Sequence, residues 1–260
     1  MSASADVVVI GGGLVGCLTA RALAKDGLNV RILERGSDLG REASTAAAGL
    51  LSPQMEAAED LLVEVPGPQA GEAMLDFCLA ARAGYAAFVS GLEAETGLGV
   101  GYRADGTLVV ALTPVEAGRL RRSAEAQRAR GLEAEVLEGE EIRRLEPAVT
   151  DAAALGLHLP DDDQVDPVRL MTAARAAVGS APGIEIETGT AVRALWSEDG
   201  RVAGVEMDRG RVSAAWVVLA AGAWSGGIEG LPRALPVRPV KGQMAAVRPG
   251  QPSIRGIVGG

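Results

Sequence analysis

A glycine-rich turn directly follows a short apolar run near the amino terminus, and this combination constrains the fold more than any other feature of the chain. Residues 7–10 read Val-Val-Val-Ile, and the next six match the pattern G-x-G-x-x-G. In this pattern Gly11 permits a tight turn, Gly13 leaves room for a pyrophosphate, and Gly16 lets a helix pack closely on the strand. We therefore predict a strand, a turn and a helix whose amino terminus faces a phosphate group.

The next segments complete a nucleotide-binding unit. Residues 14–26 have the pattern of a helix, and Gly27 suits its carboxyl-terminal cap. Residues 30–33 form a second apolar run that ends at Glu34. An acidic residue about 20 positions after the glycines, at the end of the next strand, binds the hydroxyls of a ribose. The order of these elements predicts a dinucleotide site, whereas a merely structural glycine turn would leave Glu34 unexplained.

Composition excludes several classes of function. The 260 residues carry a formal charge of −9, and non-specific nucleic-acid binding requires a basic surface instead. Cys17 and Cys78 are the only cysteines and His158 is the only histidine, so we expect two buried free thiols and no metal site. His158 has no nucleophile motif near it, which disfavours a hydrolytic triad. We assign no catalytic side chain.

The amino terminus lacks the pattern of a signal peptide, and no apolar run approaches the ~20 residues of a membrane span. The expected location is the cytoplasm.

The middle of the chain predicts a mixture of helices and strands. Residues 70–96 have the pattern of one long helix with a bend near Gly84 or Gly91, and residues 100–112 that of a β-hairpin turning at Asp105-Gly106. The acidic run Asp161–Asp163 favours a polar loop over a cation site, because three adjacent acids do not converge on one ion.

A strand-rich section follows. Residues 184–188, 191–196, 202–207 and 211–212 are separated by turn signals. A last buried run, residues 216–220, leads into Ala221-Gly222. This second strand-to-glycine junction predicts another approach of the backbone to the cofactor.

Six segments together resemble a known family, the FAD-dependent amino-acid and amine oxidases of the D-amino-acid oxidase type, and within it the glycine oxidases of thiamine biosynthesis. The first two segments occur in many flavoproteins, whereas the alanine-rich third segment and the last two are more specific. They occur in the family's order, as residues 8–13 (VVIGGG), 33–36 (LERG), 44–51 (STAAAGLL), 164–167 (QVDP), 217–225 (VVLAAGAWS) and 239–243 (PVKGQ).

The resemblance implies an α/β fold with two interleaved domains. A Rossmann-type FAD-binding domain with a parallel sheet and a β-meander would comprise residues 1–85 and 150–230. An α+β substrate domain would comprise residues 86–149 and 231–260, and would be incomplete at its carboxyl terminus.

The resemblance also implies which residues bind FAD. The diphosphate would lie along Gly11, Gly13, Leu14, Val15 and Gly16, with Ser44 near the phosphates. Glu34 would bind the adenosine ribose, with Arg35 beside it, and Val192 would contact the adenine through its backbone. Ala48, Gly49 and Leu50 would pass beside the isoalloxazine, and Ala221 and Gly222 would close over the cofactor. Lys241 is either a ligand of the substrate carboxylate or, as we favour, a strand residue.

The implied reaction is oxidation of the amine of glycine or a small amino acid to an imine, which hydrolyses to a keto acid and ammonia, while O2 yields peroxide. Two alternatives stay open. One is a related oxidase or dehydrogenase that acts on sarcosine or a D-amino acid. The other is a non-catalytic FAD-binding fragment or subunit.

Family members continue beyond the position of Gly260, and that further segment contains an arginine that binds the substrate carboxylate. We therefore expect this chain to be a C-terminally truncated form with little turnover, low solubility and weak flavin binding when isolated. A homo-oligomer or a complementing C-terminal chain would be its partner.

Overall fold

The structure, a computed structural model, describes residues 4–58, 68–248 and 254–260. Contacts divide the chain into two compact units. The first unit comprises residues 1–48, 92–100 and 167–244, and the second comprises residues 49–91, 101–166 and 245–260. The domain division expected from the sequence follows function rather than contacts, and it stays a prediction.

In chain order, the described elements up to the middle of the chain are β1 (Ser4–Ile10), α1 (Leu14–Lys25), β2 (Val30–Leu33), α2 (Ala43–Ala46), β3 (Leu50–Leu51), α3 (Pro53–Ala58), α4 (Pro68–Ala83), α5 (Tyr85–Thr96), β4 (Thr107–Ala111), α6 (Pro114–Ala129) and β5 (Glu135–Leu137). The later ones are α7 (Glu140–Leu145), β6 (Leu155–Leu159), β7 (Asp163–Gln164), α8 (Pro167–Ser180), β8 (Ile184–Glu187), β9 (Val192–Glu198), β10 (Arg201–Met207), β11 (Gly210–Leu219), a 3-10 helix (Gly222–Gly227) and β12 (Ile257–Gly259).

The first unit contains a six-stranded sheet in the order β8-β2-β1-β11-β10-β9. The first four strands are parallel, and β11, β10 and β9 form an antiparallel meander. Helices α1 and α8 pack on β1 and β2 through apolar residues such as Cys17, Ala174 and Val178. Because β1 is covered on both faces, its sequence is continuously apolar rather than alternating. The predicted Rossmann-type sheet with a meander is confirmed.

The second unit contains a four-stranded sheet in the order β12-β4-β6-β5, in which β12 and β4 are parallel and the other pairs antiparallel. Helix α6 covers it with Leu120 and Ala124. A capping box begins this helix, since Thr113 Oγ1 accepts from the Glu116 amide at 3.3 Å and the Glu116 carboxylate accepts from the Thr113 amide at 2.9 Å.

Two local predictions need correction. The long helix predicted over residues 70–96 is two helices, α4 and α5, separated at Gly84. The predicted hairpin over residues 100–112 is wrong. Arg103 exchanges both backbone hydrogen bonds with Gln164, each at 2.9 Å, so the first arm pairs with β7 and not with β4.

Within the described residues, no single helix is long and apolar enough to cross a membrane. One pair, Gly71–Ala83 with Tyr85–Thr96, meets the requirement of length and composition only when its two helices are taken together across a bend of 42°.

Candidate cofactor-binding site

The glycine turn between β1 and α1 is too crowded for side chains at two of its positions. Gly11 has φ of +105°, and a Cβ atom there would lie 2.4 Å from the carbonyl oxygen of Ala220. A Cβ atom on Gly16 would lie 2.0 Å from the carbonyl oxygen of Gly11. Both glycines are therefore required by the path of the backbone itself, as the pattern predicts.

The first residues of α1 form the part of the turn that suits an anion. Gly13 precedes the helix in an extended conformation, and the Leu14 amide donates to Ser44 Oγ at 2.9 Å. Val15 is 69% exposed, although it is apolar and lies in the first helical turn. The structure thus brings Ser44 to the amino terminus of α1, where backbone amides and a hydroxyl can together bind a phosphate.

Glu34 holds the turn from the end of β2. Its Oε2 atom accepts from the Gly12 amide at 2.7 Å, and its Oε1 atom accepts from the Gly36 amide at 2.6 Å. A carboxylate oxygen has two lone pairs, so both oxygens can still accept from ribose hydroxyls. Sequence reasoning assigned Glu34 to the ribose and missed this second contact with the glycine turn.

The peptide of Gly12 is also fixed on its carbonyl side. Its oxygen accepts from the Gly40 amide at 2.9 Å and from Cys17 Sγ at 3.4 Å. Burial, followed by the charge of Glu34, raises the pKa of the Cys17 thiol to about 12. Cys17 is therefore a neutral donor beneath the turn, as expected for a buried free thiol, whereas the free Cys78 is only half-buried, so the expectation for Cys78 is wrong.

Arg35, predicted to lie beside Glu34, is engaged by two side chains. Its guanidinium carbon lies 3.8 Å from the ring centroid of Trp224, and its Nη2 atom lies 3.1 Å from Glu42 Oε1. Trp224 belongs to the 3-10 helix that follows β11, and its amide donates to the carbonyl of Ala221 at 3.1 Å. This stack connects the end of β2 to the second strand-to-glycine junction.

The second strand-to-glycine junction, at the end of β11, lies against the first one, at the end of β1. The Ala220 amide donates to the Ile10 carbonyl at 2.9 Å, and the Cα atom of Ala221 lies 3.1 Å from where a Cβ atom on Gly11 would be. Gly222 follows with φ of +56°. Val192 begins β9 and packs on the apolar cluster that includes Ile10. The structure thus brings Ala221 and Gly222 to the carboxyl end of β1, beside the glycine turn.

The predicted isoalloxazine neighbours lie where the chain passes from one unit to the other. Ala48 ends a segment of the first unit, and Gly49 begins the second. Within the second unit, the Val165 amide donates to the Gly49 carbonyl at 2.9 Å, and Leu50 pairs with Gln164. Two of the segments that carry the family resemblance are therefore hydrogen-bonded to each other.

Lys241 is exposed, and residues 241–248 contain no regular secondary structure. The expectation that Lys241 is a strand residue is wrong.

A cavity of about 290 Å³ in the second unit lies at one end of the four-stranded sheet. Its polar groups largely satisfy one another. Glu146 accepts from the amides of Arg255 and Gly256, Arg103 pairs with Asp105, and His158 Nδ1 lies 2.9 Å from Glu135 Oε2. Internal pairing of this kind favours a structural role for these charges.

A parallel sheet with a glycine turn, a helix amino terminus and an acid at the end of β2 defines a dinucleotide-binding protein of the Rossmann class. The sequence matches the family described as FAD dependent oxidoreductase over residues 6–258, and the chain belongs to that family. Its cofactor is therefore FAD, and the glycine cradle, Ser44 and Glu34 fit the diphosphate and ribose of that molecule.

Named relatives agree with this membership. The chain is 37% identical over 250 residues to a bifunctional ThiO/ThiG protein of Synechocystis, covering 95% of this chain and 34% of that protein. It is 33% identical over 274 residues to a D-amino acid dehydrogenase of Rhizobium johnstonii, covering 91% of this chain and 66% of that one. The crystal structure of glycine oxidase from Geobacillus kaustophilus superposes with a TM-score of 0.75 at 30% identity, covering 86% of this chain and 57% of that one.

The chain thus spans about a third of the bifunctional relative and less than two thirds of the glycine oxidase.

Proposed function

We propose that this chain is the cofactor-binding part of an FAD-dependent amino-acid oxidase that acts on glycine or a similarly small amino acid, with O2 as the electron acceptor. The observation that carries the proposal is the cradle around Gly12, whose amide donates to Glu34 and whose carbonyl accepts from Cys17 and Gly40. The likeness to glycine oxidase and to a ThiO/ThiG protein supports the substrate class and a place in thiamine biosynthesis.

FAD bound at this site would supply the redox chemistry, the two-electron oxidation of the amine to an imine with O2 as the final acceptor. The resulting imine is hydrolysed by water to the keto acid and ammonia. The residues of this chain bind and orient the cofactor. The amides at the start of α1 and the Ser44 hydroxyl hold the diphosphate, and Glu34 holds the ribose.

The remaining cofactor contacts are proposals of the same kind. Arg35 and Val192 lie beside the adenosine half. Ala48, Gly49 and Leu50 pass beside the isoalloxazine, and Ala221 and Gly222 close over the cofactor. We retain the functional division into residues 1–85 and 150–230 for FAD and residues 86–149 and 231–260 for substrate. The two free cysteines are consistent with a cytoplasmic location.

The similarity to a D-amino acid dehydrogenase favours a second candidate, in which an acceptor other than O2 reoxidises the flavin. Peroxide production with glycine supports the oxidase, and oxidation of a D-amino acid that requires an artificial acceptor supports the dehydrogenase. Light scattering after gel filtration would show whether the chain is a homo-oligomer.

The FAD site is tested with Gly13→Val. A Cβ atom on Gly13 would lie 3.1 Å from Ser44 Oγ, and the valine methyl groups would occupy the diphosphate position. We expect loss of flavin absorbance. The matched control is Gly179→Val in α8, where a Cβ atom would meet nothing within 4 Å. Normal flavin content in a folded Gly13→Val protein would refute the assigned site.

A further inference from the structure

The acidic run after β6 sends its three carboxylates to three different parts of the second unit. Asp161 pairs with Arg82 of α4, and Asp163 accepts from the Tyr102 hydroxyl at 2.7 Å. Asp162 accepts from the backbone of α3. The predicted polar loop is wrong for Asp163, which begins β7, and each of the three side chains has a separate partner.

Asp162 is the most deeply placed of the three. It is 0% exposed, and its two carboxylate oxygens accept from the amides of Gln54 and Met55 at 3.2 and 2.9 Å. These amides belong to the first turn of α3, where backbone donors lack partners within the helix. Burying a carboxylate at this helix terminus costs free energy of desolvation unless both of its hydrogen bonds are made.

The segment between Gly49 and this cap lies along the same loop. The Gly49 carbonyl accepts from the Val165 amide at 2.9 Å, and Leu50 and Leu51 pair with Gln164 and Asp163. Residues 49–55 are therefore attached to residues 162–165 at their beginning, middle and end.

Helix α3 is itself anchored from its other side. Gln54 Nε2 donates to Gln127 Oε1 and to the Glu133 carbonyl, both at 2.9 Å. Gln54 is fully buried, so these two hydrogen bonds hold α3 in place away from solvent. The Asp162 carboxylate connects a fixed helix to the loop that supports Gly49 and Leu50.

We propose that Asp162 is a positioning residue for the isoalloxazine: its paired bonds to α3 set the place of residues 49–55 and therefore of Gly49 and Leu50. The inference rests on the proposed function, because it takes those two residues as neighbours of the flavin.

The charges around Asp162 make its protonation testable. Burial raises its pKa from 3.8 to about 7, in opposition to the two backbone amides and Arg82, which lower it, while Asp163 adds to the increase. A protonated carboxyl has one oxygen that donates instead of accepting, so it cannot accept from both amides in the same way. The flavin environment then changes with pH near neutrality.

The test uses the full chain reconstituted with FAD, with visible absorbance recorded at pH values on both sides of 7. In the wild type we expect a shift of the flavin bands that titrates near that pH. In Asp162→Asn we expect the titration to disappear and the FAD dissociation constant to rise about tenfold, the size expected for one lost charged hydrogen bond. The matched control Asp151→Asn removes an acid of the same unit that is 90% exposed and pairs with Arg143, and it leaves both properties unchanged.

A titration that persists in Asp162→Asn overturns the proposal, as does a wild-type spectrum that does not change across this pH range. His158→Gln removes the only histidine and excludes it as the titrating group. Should Asp162→Asn fail to fold, Asp162→Glu retains the carboxylate at a displaced position and is expected to shift the titration; an unchanged titration refutes the proposal. Failure of the wild type to bind FAD would instead refute the proposed function.

Discussion

The carboxylate of Glu34 hydrogen-bonds the amide of Gly12 across 22 residues of sequence, at 2.7 Å, and so ties the end of β2 to the middle of the glycine turn. An acid in this position is normally considered only as a ligand of the ribose. Here it also orders the glycine turn through a hydrogen bond within the protein itself.

Replacement of Glu34 tests this dual role. In Glu34→Ala the amides of Gly12 and Gly36 lose their acceptor, so we expect the free energy of unfolding of the apoprotein to fall by about 2 kcal/mol, as for unsatisfied donors. Urea unfolding measures this. The control Glu185→Ala removes an acid that is 62% exposed and pairs with Arg31, and it should cost less than about 1 kcal/mol. Equal losses in the two variants would contradict the second role of Glu34.

The stack of Arg35 on Trp224 is expected to preorganise the adenosine side of the site. Loss of an exposed cation–π contact corresponds to about 0.5–1 kcal/mol, so Trp224→Leu should raise the FAD dissociation constant by about two- to fivefold. Isothermal titration calorimetry measures this. Trp196, which stacks with Arg211 at 4.9 Å in the meander, provides the control Trp196→Leu. A similar loss of affinity in both variants would mean that the indole acts through general stability.

Glu95 should make the first unit sensitive to acid. Hydrogen bonds from Arg21, with a smaller contribution from Lys25, lower its pKa from 4.5 to about 2. A lowered pKa in the folded state gives stability that is present above pH 4.5 and is lost as the pH falls through 2. The unfolding free energy of the wild type should therefore fall toward that of Glu95→Gln, by about 1 kcal/mol, over this range. Glu198→Gln is the control, and a difference that does not depend on pH would contradict the prediction.

Asp162 should have the opposite effect on stability. Its pKa in the folded state, about 7, exceeds its ordinary value of 3.8, so between these values the unfolded chain releases a proton that the folded chain retains. The unfolding free energy should fall as the pH rises through this window, with a slope of at most about 1.4 kcal/mol per pH unit. Urea unfolding of Asp162→Asn should show a flatter dependence on pH than wild type. A steeper slope in the variant would contradict the raised pKa.

Local patterns predicted the parts of the structure that local forces determine. The apolar run 7–10 and the glycine turn that follows it each depend on neighbours within a few residues. The partner of Arg103 could not be predicted in this way, because Gln164, which lies far along the chain, outcompetes the adjacent hairpin arm.

Contacts between residues far apart in the chain also limited how much of the candidate site could be predicted from the sequence. Glu34 could be assigned from its spacing, but its bond to Gly12 depends on the fold. Asp162 was recognisable only as part of an acidic run, because the backbone donors that it binds lie 107 and 108 positions earlier. Nothing in the residue types around Trp224 distinguished it from Trp196, since each becomes a stacking partner only when an arginine from another segment reaches it.

The thiol beneath the glycine turn has a chemical consequence if the proposed reaction releases peroxide. Only a thiolate reacts readily with peroxide, and Cys17 is fully buried with a pKa of about 12. The proposed reaction would thus generate an oxidant beside a buried thiol that stays protonated and reacts slowly with it. Cys17 can remain a hydrogen-bond donor through many turnovers without the sulfinic or sulfonic oxidation that would push the turn apart.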